Sequence, residues 1–403
     1  MKRKMGSNMI NPFNFARIPH IIFGTGKINE LYKIIPHFGK NTLFVIGEKS
    51  LEQSGKWNEI IHNLDKNSFN YDVVKISGEP TPNFIDRVSE KFRNYNLDLI
   101  ISIGGGSALD AGKAISAMIP KNDSIEYYLE GIGDKTHDGK KIPFIAVPTT
   151  SGTGSEATKN AVISKIGPSG YKKSLRHDNL IPNFAIIDPE LMLSCPSSIS
   201  AACGLDAFTQ LLESYVSINA SPLTDALAYN GMKYIGQNIE LVCSSGASNI
   251  NVRAAMAYGA LMSGITLANA GLGIVHGLAS PIGGFFNIPH GQVCATLLAE
   301  ATKMNIEMLE LLGPEKKPAL KKYAQIGALL KNIYKVEENQ TQECCLNLIE
   351  TLEKWVNGLK INCLGKFGIK EQDLDKIIEN SSLKDNPVKL NKQNIKNILI
   401  NRL

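Results

Sequence analysis

Residues 97–113 run Leu-Asp-Leu-Ile-Ile-Ser-Ile-Gly-Gly-Gly-Ser-Ala-Leu-Asp-Ala-Gly-Lys, a predicted buried strand followed by a glycine turn and a helix start. Leu99, Ile100 and Ile101 place apolar side chains on both faces of an extended segment, which is typical of a central strand in a parallel sheet. The glycines that follow allow a sharp turn into a predicted helix. Backbone amides at such a helix start, together with the helix dipole, favour a bound phosphate. An ordinary tight turn is the alternative.

The glycine turn matches neither the Gly-x-Gly-x-x-Gly fingerprint nor a Walker loop. We expect Ser107 to be the helix N-cap, with Asp110 three residues later as its partner in a capping box. We assign Gly104, Gly105, Gly106, Ser107 and Asp110 to the binding of a pyrophosphate.

Short apolar strands alternate with amphipathic segments through the first half of the chain, which predicts βαβ units and a mostly parallel sheet. The predicted strands are Ile21–Phe23, Thr42–Ile46, Tyr71–Lys75, Leu97–Ile103, Phe144–Val147 and Phe184–Ile187. The predicted helices between them include Lys27–Ile35, Gly55–Lys66 and Asn83–Tyr95.

After about Pro196 only helical patterns remain. The predicted helices there are Ser200–Val216, Leu223–Ile239, Asn251–Asn269, Val293–Met304, Lys316–Leu330 and Glu343–Leu359. We expect the glycine-rich segment Gly271–Gly284 to interrupt them, either as a loop or as a place where backbones approach closely. The sequence therefore predicts a Rossmann-like α/β domain that binds a dinucleotide over residues 1–195, and an all-helical domain over residues 196–403.

A second polar loop, residues 147–158, runs Val-Pro-Thr-Thr-Ser-Gly-Thr-Gly-Ser-Glu-Ala-Thr between a predicted strand and a predicted helix. Polar loops at the carboxyl ends of adjacent parallel strands form the dinucleotide site of open α/β sheets. We therefore assign Thr149, Thr150 and Thr153 to cofactor binding. A Ser/Thr-rich surface loop is the alternative.

Composition excludes several other classes of protein. The 403 residues carry 43 basic and 38 acidic side chains, a formal charge of +5 that is scattered along the chain, so we expect no nucleic-acid partner. No apolar run reaches the length of a membrane span, and the residues after Lys2–Lys4 are too polar for a signal peptide. The seven cysteines are an odd number and are widely spread, which favours reduced thiols in the cytoplasm.

Four polar side chains in the helical half are candidates for chemistry. Asp206 and Gln210 lie four residues apart and share one helix face, where both could reach a cation. His276 and His290 are flanked by glycine and apolar residues, so each needs a carbonyl, a carboxylate or a metal as its partner. From these residues alone, core histidines satisfied by their neighbours are the simpler interpretation.

Five motifs, in this order and at this spacing, resemble those of the iron-containing (group III) alcohol dehydrogenases, within the dehydroquinate-synthase-like superfamily. They are Gly104-Gly-Gly-Ser-x-x-Asp-x-x-Lys113, Pro148-Thr-Thr-Ser-Gly-Thr-Gly-Ser-Glu156, Asp188-Pro-Glu, Gly204-Leu-Asp-Ala-Phe and Ile288-Pro-His-Gly291. The resemblance implies an active site between the two domains, with a nicotinamide cofactor across the two polar loops. It also implies one divalent metal, held by an Asp and three His, that polarises the oxygen of a small alcohol or aldehyde.

Carried over position by position, the family's ligands fall on Asp206, Gln210, His276 and His290, so that glutamine replaces one histidine. A further family histidine falls on Ser280. We expect Asp206, His276 and His290 to be the catalytic residues, and these three with Gln210 to bind Fe²⁺, or Zn²⁺ or another divalent ion, with reduced affinity. The alternatives are a metal-free reductase of a small keto or unsaturated acid, similar to maleylacetate reductases, and an idle nucleotide-binding scaffold.

The resemblance also bears on cofactor choice. The family's acidic residue at the end of the second strand, which contacts the adenine ribose, falls on Gly47, leaving room for the 2′-phosphate of NADP. Lys49 or Ser50 could meet that phosphate, whereas Glu48 argues against it, and we favour NADP. Lys172 matches a family lysine near the cofactor; an ordinary surface lysine is the alternative. The resemblance further implies a homodimer.

Overall fold

The computed structural model describes residues 10–313 and 317–403, so Lys2–Lys4 and Lys316, the first residue of a predicted helix, lie outside the described residues. The strands are β1 (His20–Phe23), β2 (Asn41–Gly47), β3 (Asn70–Ile76), β4 (Leu99–Gly104), β5 (Phe144–Pro148), β6 (Asn160–Lys165), β7 (Tyr171–Arg176) and β8 (Phe184–Ile187). The helices of the first half are α1 (Leu31–Ile34), α2 (Ser50–Gln53), α3 (Lys56–Lys66), α4 (Pro82–Phe92) and α5 (Gly106–Met118). Those of the second half are α6 (Ser197–Val216), α7 (Pro222–Val242), α8 (Ile250–Ala270), α9 (Ile274–Phe285), α10 (His290–Leu311), α11 (Lys317–Leu330), α12 (Thr341–Gly358), α13 (Leu374–Glu379) and α14 (Lys392–Ile400).

Six strands form one sheet in the order β1-β8-β5-β4-β2-β3, and every neighbouring pair is parallel. The alternation of side chains along a strand explains how both faces are covered. In β2, Leu43 and Val45 pack with α4 and α5, whereas Phe44 and Ile46 pack with α3 on the other face. All residues of β4 are buried. The prediction of a Rossmann-like parallel sheet followed by a helical region is confirmed.

The helical half forms a continuous apolar core around α6, which packs against α7, α8 and α10. This core also includes Ala157, Ala185 and Ile187 from the first half of the chain. The sheet and the helices therefore share packed apolar surface, with residues 155–157 after β5 against α8 and the strands β6 and β7 against α9.

The structure contains an antiparallel hairpin, β6–β7, that the sequence analysis missed. The prediction of a helix after the second polar loop is wrong. A short 3-10 turn, Ser155–Ala157, leads into the hairpin instead. The strand β7, Tyr-Lys-Lys-Ser-Leu-Arg, carries only two apolar residues, so its periodicity is weak. The strand forms because it pairs with β6 and because Lys172 is buried by surrounding parts of the fold, neither of which the local sequence shows.

The segment Gly271–Gly284 is not a loop, because most of it is the buried helix α9. Glycine disfavours helix, but here it permits close packing of backbones. A Cβ on Gly277 would overlap the carbonyl of Ser382, and one on Gly284 would lie 2.7 Å from Tyr171 Cα. The expectation of close backbone approach is thus confirmed, while the expected interruption is limited to Gly271–Gly273.

Within the described residues, no single helix has the length and hydropathy of a membrane span. The consecutive helices α8 and α9 have that length and hydropathy only in combination, and their axes are bent by 99° relative to each other.

The contact between α5 and the sheet can be tested at Gly112. A Cβ at this position would overlap Ser102 Oγ and would lie 3.0 Å from the Phe144 ring. We expect Gly112→Ala to lower the free energy of unfolding by about 1–3 kcal/mol because the site is overpacked. Adding Ser102→Ala, which removes the overlapping oxygen, should recover part of the loss. Chemical denaturation measures both effects.

Gly358→Ala is the matched control, since Gly358 is also helical and a Cβ there meets nothing within 4 Å. This change should be neutral or slightly stabilising. Equal stability of the Gly112→Ala and wild-type proteins would contradict the described packing.

Candidate active site

The two polar loops meet where β4 and β5 end. Gly104 pairs with Pro148 in the sheet, and the Thr149 amide donates to the Gly104 carbonyl at 2.9 Å. Gly106 lies so close to Thr153 that a Cβ would come within 2.7 Å of its methyl carbon. The glycines therefore let the loops touch. This contact forms the floor of a cavity of about 620 Å³, in the size range of small-molecule sites.

Most of the assigned residues border this cavity. From the sequence predictions these are Gly47, Gly105, Gly106, Ser107, Asp110, Thr149, Thr150, Thr153, Lys172, Gln210, His276 and His290. Gly104 and Asp206 do not border it: Gly104 underlies the loops, and Asp206 lies buried behind the two histidines. One cavity thus reaches from the end of β2 to the polar cluster of the helical half.

The predicted capping box at α5 is wrong. The N-cap is Gly105, whose φ and ψ are −74° and −177°, and no side chain caps the helix. Asp110 instead accepts hydrogen bonds from the hydroxyl of Ser155 and, at 3.1 Å, from the amide of Val162. The first turn of α5 therefore borders the cavity without a side-chain cap, which suits an anionic group.

Lys113, the last residue of the quoted stretch, holds the second loop in place. Its buried ammonium donates to the Ser155 carbonyl at 2.7 Å, to Thr158 Oγ1 at 2.9 Å and to the Asn160 carbonyl at 2.8 Å. Burial lowers the pKa of Lys113 to about 8 and raises the pKa of Asp110, whose Oδ1 lies 3.9 Å from Lys113 Nζ. The sequence analysis gave Lys113 no structural role.

At the other end of the cavity, four potential metal ligands converge: Asp206, His276, His290 and Cys294, all with donor atoms within 4.8 Å of one another. Asp206 Oδ1 lies 3.4 Å from His276 Nε2 and 3.8 Å from His290 Nε2. Cys294 Sγ lies 3.6 and 3.7 Å from the same nitrogens. The structure therefore brings three of the four predicted ligands together and adds a cysteine that the sequence analysis did not single out.

Glu213 orients His276. One of its carboxylate oxygens lies 2.6 Å from His276 Nδ1, and the other accepts the Val275 amide at 2.7 Å. A proton on Nδ1 leaves the Nε2 lone pair free for a ligand, the usual arrangement of a metal-binding histidine. Glu213 was missed, although its spacing of seven from Asp206 on α6 places both on one helix face.

Gln210 lies beside this cluster, and its amide is engaged. Nε2 donates to Asp206 Oδ2 at 3.2 Å, and Oε1 accepts from the Ser263 hydroxyl at 2.7 Å. A role for Gln210 as a ligand remains a prediction.

The charges of the cluster follow from burial and proximity. Burial lowers the pKa of His290 to about 4, although the nearby Asp206 carboxylate opposes this shift. Burial opposes ionisation of Asp206, but the two imidazoles outweigh it and lower its pKa, so the carboxylate is charged. Asp206 Oδ1 nevertheless has no hydrogen-bond partner among the described residues, which is costly for a buried charged oxygen.

The wall between the two ends of the cavity includes Lys172 and Ser280. Lys172 is buried, with its ammonium 2.9 Å from Glu79, and Ser280 donates its hydroxyl to the Lys172 carbonyl at 2.7 Å. Two more basic residues not singled out from the sequence, Arg176 and Lys384, also border the cavity. Glu79 also borders the cavity and Arg176 pairs with Glu130 at 2.9 Å, so the wall carries charges of both signs.

The chain belongs to the iron-containing alcohol dehydrogenase family. The family model described as iron-containing alcohol dehydrogenase matches residues 19–189, and the model of the C-terminal region of the Fe-containing alcohol dehydrogenase family matches residues 200–403. The resemblance seen in the sequence is thus confirmed.

Individual relatives agree with this assignment. Long-chain-alcohol dehydrogenase 1 of Geobacillus thermodenitrificans is 32% identical, over 91% of this chain and 89% of its own. NAD-dependent methanol dehydrogenase of Bacillus methanolicus is 28% identical, over 97% and 100%. The solved structure of a 1,3-propanediol oxidoreductase matches with a TM-score of 0.84 at 28% identity, over 98% and 100%.

Lys113→Met tests whether the hydrogen bonds from the Lys113 ammonium hold the second polar loop in place. We expect a loss of about 3 kcal/mol in the free energy of unfolding, because Asp110 loses the nearby positive charge and the carbonyls of Ser155 and Asn160 lose their donor. Weaker dinucleotide binding should accompany it. Between pH 8 and 10.5 the unfolded chain binds more protons at this lysine, so the wild-type advantage should grow with pH. Denaturation across this pH range measures it.

Lys33→Met, which removes an exposed lysine paired with Glu30, should change stability by less than about 0.5 kcal/mol. A Lys113→Met protein as stable as this control would show that the buried ammonium does not hold the loop.

Proposed function

We propose that the protein is an NAD(P)-dependent alcohol dehydrogenase or aldehyde reductase with one divalent metal, acting on a small alcohol or aldehyde. The observation that carries the proposal is the shared cavity: loops suited to a dinucleotide border one end, and Asp206, His276 and His290 converge at the other. Family membership supports the class of reaction.

The residues present fit a divalent cation. Asp206 Oδ1 is a buried carboxylate oxygen without a donor, and His276 Nε2 and His290 Nε2 lie close to it. We propose Fe²⁺ or Zn²⁺, since imidazole and carboxylate suit both ions. When bound, such an ion supplies Lewis acidity to the substrate oxygen, and the nicotinamide supplies or accepts the hydride.

The chain's own contribution is positioning. The start of α5 and the threonine loop would hold the cofactor's phosphates, which fixes the direction in which the nicotinamide enters the cavity. Glu213 holds His276 in one tautomer and orientation. The apolar packing of α6, α8 and α9 excludes bulk water from Asp206. Together these would hold a bound substrate and cofactor in a reactive orientation.

Proton transfer must differ from a histidine relay, because Ser280 lies at the position where the family resemblance places a histidine. Its hydroxyl donates to the Lys172 carbonyl, so it can accept from a substrate hydroxyl or a water but is no base near neutral pH. We therefore propose slower oxidation of alcohols, with aldehyde reduction as the favoured direction.

For the cofactor we propose NADP. Gly47 ends β2 at the cavity, with Ser50 beside it, while Glu48 accepts a hydrogen bond from Ser77 at 2.7 Å. This leaves the end of β2 without the carboxylate that repels a 2′-phosphate. Lys49 does not border the cavity. The Bacillus methanolicus relative, by contrast, is named as NAD-dependent. The ratio of kcat/KM for NADPH over NADH therefore decides which cofactor this chain prefers.

The remaining features of the proposal rest on sequence. We propose a cytoplasmic homodimer without nucleic-acid or membrane partners. The names of the relatives range from methanol to long-chain alcohols, so family membership does not set the length of the substrate.

The function is tested with purified protein, both nicotinamide cofactors and a panel of aldehydes, alcohols and keto acids. We expect aldehyde reduction that a chelator abolishes and added metal restores. Asp206→Asn should lower kcat/KM at least about 100-fold, because it removes the charged donor of the metal. Asp375→Asn, at an exposed aspartate far along the chain, is the matched control and should keep full activity.

Two outcomes would contradict the proposal. Turnover of a keto or unsaturated acid that survives the chelator indicates a metal-free reductase. Cofactor binding without any turnover indicates an idle scaffold.

The cofactor preference is tested by Gly47→Asp. A Cβ at Gly47 would lie 3.6 Å from Ser50 Oγ, an ordinary contact, so the fold should tolerate the change. We expect the ratio of kcat/KM for NADPH over NADH to fall at least about tenfold, because the new carboxylate repels the 2′-phosphate and accepts from a ribose hydroxyl. A wild-type enzyme that already prefers NADH would overturn the NADP proposal.

A further inference from the structure

We propose that Cys294 binds the metal as a thiolate, together with Asp206, His276 and His290, and that Gln210 positions Asp206 instead of binding the ion. This assignment rests on the proposed metal site and specifies its ligand set.

Four of the six distances between the donor atoms are close to those around a tetrahedral ion, and all six lie within 4.8 Å. Two nitrogen or oxygen ligands bonded at roughly 2.0–2.1 Å lie roughly 3.4 Å apart, and a sulfur bonded at about 2.3 Å lies roughly 3.6 Å from each nitrogen. Cys294 Sγ lies 3.6 and 3.7 Å from His276 Nε2 and His290 Nε2. Asp206 Oδ1 lies 3.4 and 3.8 Å from the same two atoms.

The position of Cys294 in the fold directs its sulfur inward. His290 begins α10 and Cys294 follows one turn later, so both side chains lie on one face of the helix. Cys294 is fully buried, and its sulfur faces the two imidazoles. The unpartnered Asp206 Oδ1, itself buried, points into the same space and requires positive charge.

Both polar groups of the Gln210 amide already have hydrogen-bond partners. A carboxylate beside an amide requires the amide's NH₂ group, which fixes Nε2 on Asp206 Oδ2 and turns Oε1 towards the Ser263 hydroxyl. Gln210 thus holds one carboxylate oxygen of Asp206 and leaves the other free.

Binding is an acid–base exchange without redox change. The sulfur–metal bond forms as the Cys294 S–H bond breaks, and the proton leaves to solvent. Thiolate and carboxylate together balance the charge of a divalent ion, whereas a set with Gln210 carries one negative charge fewer. A thiolate also selects softer ions, so the site should prefer Zn²⁺ and Co²⁺ to Mg²⁺ and Mn²⁺.

The test uses Co²⁺ alone, titrated into the full-length protein after removal of metal with a chelator. Thiolate coordination gives an intense near-ultraviolet charge-transfer band, which nitrogen and oxygen ligands do not produce. We expect one Co²⁺ per chain with this band in the wild-type protein. In Cys294→Ser the band should disappear, while the weaker visible bands of bound Co²⁺ remain.

Two matched variants complete the experiment. Cys203→Ser removes another cysteine that borders the cavity but lies outside the cluster, and it should retain the band. Gln210→Ala should also retain it, with Co²⁺ affinity reduced by about 10–100-fold as for other residues that orient a ligand.

Absence of the band from the wild-type protein with Co²⁺ bound overturns the assignment, whether or not the variants fold. Loss of the band in Gln210→Ala with its retention in Cys294→Ser does so as well. Turnover is measured separately: a band that depends on Cys294 in a protein without dehydrogenase activity sustains the ligand assignment while the proposed function fails.

Discussion

A charged carboxylate buried among apolar helices is the constraint on which the site depends. Asp206 lies in the middle of α6, almost without solvent exposure, and only a cation or hydrogen-bond donors can offset the loss of its hydration. Gln210 supplies one donor, and two imidazoles face the other oxygen. The helices α9 and α10 bring those imidazoles from distant parts of the chain. Their placement makes sense if the core of the helical half is organised to hold an ion.

The sheet supplies the other half of the site through the pairing of β4 with β5. Because parallel neighbours end at the same edge, Gly104 and Pro148 deliver their loops to one place. Glycine at 106 lets Thr153 approach, and the buried Lys113 ties the far end of the second loop back to α5. The two polar loops are therefore anchored at their base, and the apolar core shared by sheet and helices places them opposite Asp206.

The sequence predicted what depends on local pattern and not what depends on tertiary contacts. The central strands β2, β4 and β5 are almost wholly buried, which gives them apolar runs that the sequence reveals. The long helices α6, α7, α8 and α10 were found from their length, although their amphipathic periodicity is weak. The hairpin β6–β7 was missed because two lysines interrupt the apolar pattern of β7. The helix α9 was missed because glycine is a poor helix former. Its glycines are needed because Ser382 and Tyr171 pack against the α9 backbone and leave no room for a side chain. Asp206, His276 and His290 were candidates from their spacing and surroundings in the sequence, and the family resemblance then gave them the role of metal ligands. Cys294 and Glu213 were not identified. Cys294 follows His290 by four residues and Glu213 follows Asp206 by seven, and these spacings indicate a shared site only when the packing of the helices is known.

The central claim is that these side chains surround one divalent ion in front of the nicotinamide. The most direct measurement is anomalous scattering from crystals grown with Zn²⁺ and soaked with cofactor, recorded on both sides of the zinc edge. We expect one peak within about 2.0–2.3 Å of Asp206 Oδ1, both Nε2 atoms and Cys294 Sγ, with the nicotinamide facing it. A cavity with cofactor bound but without an anomalous peak, or a peak that these four atoms do not surround, would contradict it.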